Sequence, residues 1–237
     1  MKKLTIIMMM AFLATSCSEL QTIAEQAMEE PQTITNSQIK DGLKQALQKG
    51  VDQQVSKLTK QNGFYKNDKV KILLPEELQK VDDGLRKIGM GNIADEGLKL
   101  INRAAEDAVK KATPIFIDAI KNMSITDAKN ILTGSDDAAT NFLKNNTSNK
   151  LYQEFYPVVE SSFQDVGADQ LWTSAINKYN KIPLQEKVDP DLSKYVTNQA
   201  MSGVFKMIAV EEKEIRNKLS SRTTDLLKRV FKLQDTK

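Results

Sequence analysis

The sequence predicts an all-α fold: a compact multi-helix bundle that follows a cleaved signal peptide and a short tether. Apolar residues recur at intervals of three and four along most of the chain, which is the pattern of amphipathic helices. The sequence lacks the alternation of apolar and polar residues that marks a half-buried strand. Helix-start signals recur at irregular spacing, so we expect a bundle rather than a solenoid of repeats.

Residues 1–17 have the order of a bacterial lipoprotein signal. Lys2 and Lys3 precede an apolar run from Leu4 to Ala14, which is shorter than the roughly 20 residues that span a bilayer. The segment Leu13-Ala14-Thr15-Ser16-Cys17 resembles a lipobox, with its leucine one place earlier than in the strict form. We expect cleavage before Cys17 and acylation of its thiol, which would anchor the protein on a membrane.

The signal predicts a location in the cell envelope. Ser18, rather than aspartate, follows the cysteine, which favours the outer membrane if the common sorting rule applies. Whether the domain faces the periplasm or the outside stays open. The predicted organisation is a signal peptide over residues 1–16, a lipid-anchored segment and linker over residues 17–37, and a helical domain over residues 38–237.

The first mature segments are predicted to be a tether and one strong helix. A short helix over residues 18–30 ends at Pro31, and a polar linker follows. Thr35 and Gln38 have the spacing of a capping box, which opens a long amphipathic helix. Its apolar stripe is Ile39, Leu43, Ala46, Leu47, Val51, Val55 and Leu58.

The next segment interrupts the helical pattern. Residues 61–74 contain an Asn-Gly pair and end in an apolar run without an obvious partner strand, so we interpret them as an extended loop packing across helices. Pro75 then starts a helix that Gly89 and Gly91 close. Asn92 is predicted to cap the helix after that.

The central helices have equally clear boundaries. A restart or kink is predicted at Thr113-Pro114, and the apolar run over residues 115–123 should be central to the core. The segment from Ser124 to Asp127 opens a short helix that Thr133-Gly134 stops. Ser135-Asp136-Asp137 opens the following one, where acids in a first turn suit the helix dipole.

The carboxy-terminal third is predicted to hold three more helical stretches. The helix begun at Ser135 bends at Pro157 and ends at Gly167, and a shorter one covers residues 169–179. Asp189-Pro190 starts the longest helix, which runs to about Lys218. Ser221 caps the last helix.

Composition excludes several classes of function. Lys and Arg number 34 against 31 Asp and Glu, and the basic residues are scattered between acids, so we expect no nucleic-acid partner. The chain has no histidine and its single cysteine is Cys17, so Ser-His-Asp, Cys-His and His-based metal chemistry are unavailable. We expect no cofactor. Catalysis would have to use carboxylate, Lys, Tyr or Ser/Thr groups.

Charged residues are unusually dense where the last two helices meet. The candidate polar cluster consists of Glu211, Glu212, Arg216, Arg222 and Asp225. Glu212 and Arg216 are four residues apart, in the favourable order for a helical ion pair. The cluster is interpreted as a solvated junction, a buried ion-pair network or a polar ligand pocket, and the sequence leaves these open.

Other acids give weaker signals. Adjacent acids, as in Asp82-Asp83, Asp136-Asp137 and Glu211-Glu212, point about 100° apart on a helix, so the two members do not readily share an ion. A metal site built from distant carboxylates stays open. Glu160-Ser161 followed by Gly167-Ala168 superficially resembles elements of lytic transglycosylases, but the gap is too short, and a solvated helix end explains Glu160 equally.

Aromatic residues concentrate in the middle of the mature chain. Core packing is their ordinary role, and a pocket for a glycan or a lipid would use them too. The residues are Tyr152, Phe155, Tyr156, Phe163, Trp172 and Tyr179.

Several stretches together resemble an uncharacterised bacterial family known as domain of unknown function 4197. The matching segments are Gly42–Leu47, Leu74–Leu78, Asn102–Ala108, Phe116–Ile120, Thr133–Thr140 and Arg222–Lys228. They follow the family's order from about Gln38 to Phe231. The resemblance implies an exported, often lipid-anchored helical protein of unknown activity, and it supplies no catalytic residue.

Three functions remain from the sequence. The first is a non-enzymatic envelope lipoprotein that acts by contacts with another envelope protein, which the lack of a catalytic constellation favours. The second is a binder of an apolar ligand between helices, which requires an enclosed apolar cavity. The third is a carboxylate-based hydrolase acting on envelope polymers, which requires two acids facing a cleft.

Overall fold

The computed structural model confirms the all-α prediction. It describes residues 34–75, 91–181 and 187–235, together with positions 79, 83, 86, 87, 89, 183 and 184. The predicted signal peptide, Cys17 and the helix over residues 18–30 lie outside the described residues, as does most of the helix after Pro75. The compact unit that can be described begins at Asn36.

Helices account for most of the described residues, and no strand is found among them. In chain order the helices are α1 (Asn36–Leu58), α2 (Gly91–Val109), α3 (Ala112–Lys121), α4 (Ile125–Thr133), α5 (Ala138–Gln164), α6 (Ala168–Tyr179), α7 (Leu192–Asn217) and α8 (Asp225–Asp235). A 3₁₀ turn, Leu219–Ser221, separates α7 from α8. None of these helices has the length and apolarity needed to cross a bilayer.

The three long helices α1, α5 and α7 organise the core. Helix α7 packs against α5, α2 and α1, and α1 in turn packs against α3, α4 and α8. Every apolar residue of the predicted α1 stripe is buried, from Ile39 to Leu58. Within the run over residues 115–123, Ile115, Phe116, Ile120 and Met123 are buried. The spacing of apolar residues therefore identified the buried faces correctly.

The loop over residues 61–74 packs across helices, as predicted. Phe64, Val70 and Ile72 are buried. Phe64 lies against Gly203 of α7, where a Cβ atom would come within 2.7 Å of the ring atom Cε1. Because a larger residue at position 203 would collide with a fully buried ring, glycine is what allows the loop to pack this closely.

Four predicted helix boundaries were wrong by a few residues. Gly89, with φ of +79°, is the left-handed residue before α2. Gly91 was predicted to close the helix after Pro75, and Asn92 was predicted to cap the next helix. Both residues instead lie in the first turn of α2, which begins at Gly91. The side chain of Asp191, rather than Asp189, caps α7 by accepting from Lys194 N at 2.8 Å. Thr224, not Ser221, accepts from Leu227 N at 3.2 Å at the start of α8.

The longest described helix is α5, not α7. Helix α5 has 27 residues and includes Pro157, whereas α7 has 26.

The capping box at Ser124 is confirmed, because the side chains of Ser124 and Asp127 each accept a hydrogen bond from the other residue's backbone N–H. The hydrogen bonds from Ser124 lower the pKa of Asp127. The ends of α4 at Thr133 and of α5 before Gly167 also lie where the sequence predicted.

Candidate functional site

Glu212 lies at the centre of the charged cluster and is buried, with 8% of its surface exposed. One carboxylate oxygen, Oε1, accepts from Ala139 N at 2.9 Å. The other, Oε2, accepts from Thr140 N and from the Thr140 hydroxyl, both at 2.8 Å. The first N–H groups of a helix have no acceptor within the helix. Glu212 of α7 therefore caps the amino terminus of α5, where its negative charge also suits the helix dipole.

The residues that precede α5 explain why an outside cap is needed. Asp137 occupies the N-cap position of α5, but its side chain accepts no capping hydrogen bond from the backbone N–H groups of that helix. Its carboxylate instead accepts from the Ser135 hydroxyl at 2.6 Å, which lowers the pKa of Asp137. The Asp pair that the sequence placed at this helix start thus leaves the capping to Glu212.

Arg216 is the ionic partner of Glu212 and is 3% exposed. Its Nε and Nη2 atoms donate to Glu212 Oε1 at 3.0 and 2.7 Å. Nη2 also donates to the carbonyl oxygen of Ile131 at 2.8 Å, and Nη1 donates to Gln234 Oε1 at 3.2 Å. Ile131 belongs to the last turn of α4, whose carbonyls lack helical partners. The ion pair therefore joins the negative end of α4 to the positive end of α5.

Arg222 caps a third helix end. Its Nε donates to the carbonyl of Ile215 at 3.1 Å and its Nη2 to that of Arg216 at 2.7 Å, so it satisfies the last turn of α7. Both terminal nitrogens also donate to the carboxylate of Asp235, with Nη2 at 2.8 Å from Oδ1. These bonds lower the pKa of Asp235. The guanidinium lies 5.4 Å from the ring centroid of Phe231.

The other two predicted members lie outside this network. Asp225 is exposed on its side chain by 92% and pairs with Lys228 at 3.1 Å on the surface. Glu211 accepts from Gln54 Nε2 at 2.5 Å. The structure thus brings together Glu212, Arg216 and Arg222, and it replaces Asp225 by Asp235, whose position at the far end of α8 no local sequence pattern indicates.

The chemical consequence is that the network is internally satisfied. The side chains of Glu212, Arg216 and Arg222 are exposed by only 7%, 1% and 2%. Each charged group is bonded to backbone atoms and to a partner of opposite charge. Such an arrangement holds helix ends together and offers a ligand little access.

A second buried polar group, on α2, was missed by the sequence analysis. Glu106 is 5% exposed and accepts from Phe64 N at 3.0 Å and Asn62 N at 3.2 Å. One turn earlier, Asn102 accepts from Ile72 N and donates to the Ile72 carbonyl, both at 2.8 Å. Glu106 and Asn102 thus satisfy backbone N–H and C=O groups of the loop, which in a sheet would be satisfied by a neighbouring strand. The available signal was two polar residues, four apart, within the apolar stripe of α2.

A small cavity adjoins the network. Its volume is about 30 Å³, and its lining is mainly apolar residues of α1 and α7 with Glu212 and Arg216 at one side. Pockets for small molecules have volumes of about 300 to 1,000 Å³. This cavity is far too small for an acyl chain.

Other acids are placed apart from this network. Within residues 34–75, 91–181 and 187–235, no group of three acidic or cysteine side chains could hold a metal ion. Asp82 lies outside the described residues. Glu160 is half-buried and lines a cleft with Tyr156 and Asp191. Burial, with the nearby charges of Asp191 and Glu160, raises the pKa of Tyr156 to about 12.

Comparison with known proteins agrees with the resemblance seen in the sequence. The family described as "Protein of unknown function (DUF4197)" matches residues 33–232. The chain belongs to this family. No curated protein and no solved structure matched the chain.

Proposed function

We propose that this DUF4197 protein is an exported lipoprotein, held at the outer membrane through acylated Cys17, whose helical domain acts as a non-enzymatic contact module. The observation that carries the proposal is the order of residues 1–17: basic residues, a short apolar run, small residues and then the single cysteine of the chain. In this proposal the predicted lipid-anchored segment and linker over residues 17–37 connect the helical domain to the lipid.

The interior of the domain supports a contact role over catalysis or storage of an apolar ligand. The buried charges of the cluster are used for capping helices, and the cavity beside them holds about 30 Å³. Asp191, which lines a cleft with Glu160, already accepts from Lys194 N through Oδ1 and from the Tyr156 hydroxyl through Oδ2. A hydrolase would need such an acid free for substrate.

Metabolic labelling tests the anchor. The full chain is produced in a bacterium with an outer membrane, supplied with an alkyne fatty acid. We expect label on the mature protein in the outer-membrane fraction, and no label on Cys17→Ser, which should keep its signal peptide. Ser18→Ala is the matched control and should be labelled. An unlabelled wild-type protein, or label on Cys17→Ser, contradicts the proposal.

The same labelled cells test the contact role. After crosslinking in the intact envelope, we expect the wild-type protein to yield the same crosslinked envelope protein in repeated preparations. Cys17→Ser should lose this product, because the domain is no longer held at the membrane. Absence of a reproducible product from the labelled wild-type protein contradicts the contact role and leaves the anchor standing.

A further inference from the structure

The segment at the carboxyl end of α1 has a charge balance unlike that of the chain as a whole. The whole chain has 34 basic and 31 acidic residues, so its charges nearly cancel. Residues 57–71, the lysine loop, contain a single acid, Asp68. The bases of the loop are Lys57, Lys60, Lys66, Lys69 and Lys71. A local excess of one sign marks a surface that attracts anions.

The inner side of the lysine loop is fixed to the core. Phe64 is fully buried, and its backbone N–H donates to Glu106 of α2 at 3.0 Å. The loop also folds back on itself, because the Asn67 carbonyl accepts from Val70 N at 3.0 Å and from Lys71 N at 2.8 Å. The backbone is therefore held in one shape, and its lysines are presented on a preorganised support.

Three lysines of the loop, Lys60, Lys66 and Lys69, are exposed. Within the part of the chain that the structure describes, their ammonium groups make no ion pair and no hydrogen bond. The exposed lysines Lys110 and Lys194, by contrast, pair with acids at 2.6 and 2.7 Å. The loop lysines thus do not stabilise the fold by charge pairing. Their mutual repulsion would fall when an anionic surface approaches.

Tyr65 and Leu73 add apolar surface beside these charges. Tyr65 is half-buried, and the Nζ atoms of Lys71 and of Lys99 on α2 lie 4.7 and 6.0 Å from its ring centroid. Leu73, two residues beyond the loop, is 51% exposed. Lysines attract the phosphates of a bilayer, tyrosines favour the depth of its headgroups, and an exposed leucine suits the boundary with the acyl chains. The combination fits a membrane surface.

The absence of arginine from the loop favours a bilayer over a single anionic group. Arginine recognises one phosphate or carboxylate through two parallel hydrogen bonds, whereas lysine acts as a point charge. Several lysines on one surface gain from the summed charge of many headgroups. The chemistry of the loop therefore favours anionic phospholipid over a protein that presents a defined carboxylate.

We propose that the lysine loop binds anionic phospholipids of the membrane that holds acylated Cys17, and so lays the helical domain along the bilayer. The inference rests on the proposed function, because the acyl chains bring the loop to the membrane. Helix α1 has 23 residues and is about 35 Å long. The predicted linker leads into its amino end, and the lysine loop lies at its carboxyl end. Attachment near both ends of one helix orients the domain, whereas the acyl chains alone leave it free to rotate.

The acylated mature protein, reconstituted into vesicles, tests the contact. Because Cys17 is the only cysteine and is acylated, one introduced cysteine is the only free thiol. The fluorophore NBD is attached at Gln61→Cys, an exposed position of the loop, and its fluorescence lifetime separates label on the bilayer from label in water. We expect a long-lifetime fraction in phosphatidylcholine vesicles that contain about a quarter phosphatidylglycerol. This fraction should be small in pure phosphatidylcholine and at high salt, and a fraction equal in both lipids overturns the proposal.

A second labelling position controls for simple proximity to the membrane. Ser220→Cys places the label at an exposed residue beyond the end of α7. Phe64 of the loop packs on Gly203, and the rest of α7 from there to Asn217 spans about 20 Å, so Ser220 is far from the loop. We expect this label to stay in water in both kinds of vesicle. An equal long-lifetime fraction at the two positions overturns the proposal.

Two matched pairs of substitutions test the charges. Lys66→Gln with Lys69→Gln removes two exposed charges of the loop and should lower the ratio of bilayer-bound to free label at position 61 at least about tenfold. Lys129→Gln with Lys144→Gln changes the charge of the protein equally, at exposed positions of α4 and α5, and should leave the ratio unchanged. A ratio that the first pair leaves unaltered, or that both pairs lower equally, overturns the proposal.

The mass of the purified protein reports acylation separately from lipid contact. An unacylated chain contradicts the proposed function, and its loop is then tested by sedimentation with the same vesicles. Sedimentation that requires phosphatidylglycerol and is lost in the protein with Lys66→Gln and Lys69→Gln supports the loop contact. Any other sedimentation result overturns it.

Discussion

Glu106 and Glu212 are both buried glutamates that accept backbone N–H groups from a distant segment, but they are balanced differently. Glu106 bonds to three N–H groups of the loop, those of Asn62, Phe64 and Tyr65, and the described residues provide no ion pair for it. Glu212 bonds to two N–H groups of α5 and to Arg216. Backbone N–H dipoles thus stabilise the buried carboxylate of Glu106, whereas the carboxylate of Glu212 also belongs to a buried charge pair.

The difference follows from what each glutamate has to join. Asn62, Phe64 and Tyr65 present only N–H donors to Glu106, so one acceptor is sufficient there. At Glu212, the start of α5 offers donors while the end of α4 offers the Ile131 carbonyl as an acceptor. A carboxylate and a guanidinium together satisfy both ends. A buried ion pair arises at Glu212 because two helix ends of opposite polarity meet there.

The largest expected effect is that of Glu212→Ala. Removing the carboxylate leaves the Arg216 charge buried without its partner, so we expect a loss of about 3–5 kcal/mol in the free energy of unfolding. Urea denaturation followed by circular dichroism measures it. Glu214→Ala on the same helix breaks an exposed pair with Lys218 and should cost less than about 1 kcal/mol. If both variants lost the same free energy of unfolding, the buried ion pair of Glu212 with Arg216 would be no more stabilising than an exposed one, which would contradict the role given to Glu212.

Glu106→Ala should cost less than Glu212→Ala. It leaves unpaired N–H groups but no unpaired charge, so we expect a loss of about 1–3 kcal/mol. The amides of Asn62, Phe64 and Tyr65 should exchange hydrogen faster than in the wild-type protein. The neighbouring exposed variant Asp107→Ala is the control and should leave those amides protected. A cost as large as that of Glu212→Ala would contradict the distinction between the two glutamates.

The smallest effect concerns Asp235 and depends on pH. Because bonds from Arg222 lower its pKa in the folded protein, Asp235 stabilises the fold above the ordinary Asp value, about 3.9, and this contribution is lost as pH falls through the lowered value. Asp235→Asn should therefore be less stable than the wild-type protein at pH 6, and the gap should shrink toward pH 3. Side-chain exposure of 42% keeps the gap small.

Thermal unfolding at a series of pH values measures this gap. The matched control is Asp225→Asn, which alters an acid exposed on the surface of the same helix. It should show a smaller gap at pH 6. A gap between wild type and Asp235→Asn that grows below pH 4 would contradict the direction assigned to the Asp235 pKa.

Sequence patterns with a short range determined most of the fold. The apolar stripe of α1, the capping box at Ser124, the restart before Pro114 and the stop at Gly134 were all predictable. Each depends on residues within one or two helical turns, where backbone geometry restricts which side chains can meet. Glu212 and Arg216 could be paired for the same reason, since they are four residues apart.

Tertiary structure alone decided which distant groups these side chains serve. Glu212 accepts from the backbone N–H groups of Ala139 and Thr140, and Arg216 donates to the Ile131 carbonyl. Arg222 pairs with Asp235 and not with Asp225. The same holds for Glu106 with the loop and for the packing of Trp172 on Tyr195. The physical reason is that a buried polar group must find a partner wherever the packing of helices brings one, and periodicity along the chain carries no information about that meeting.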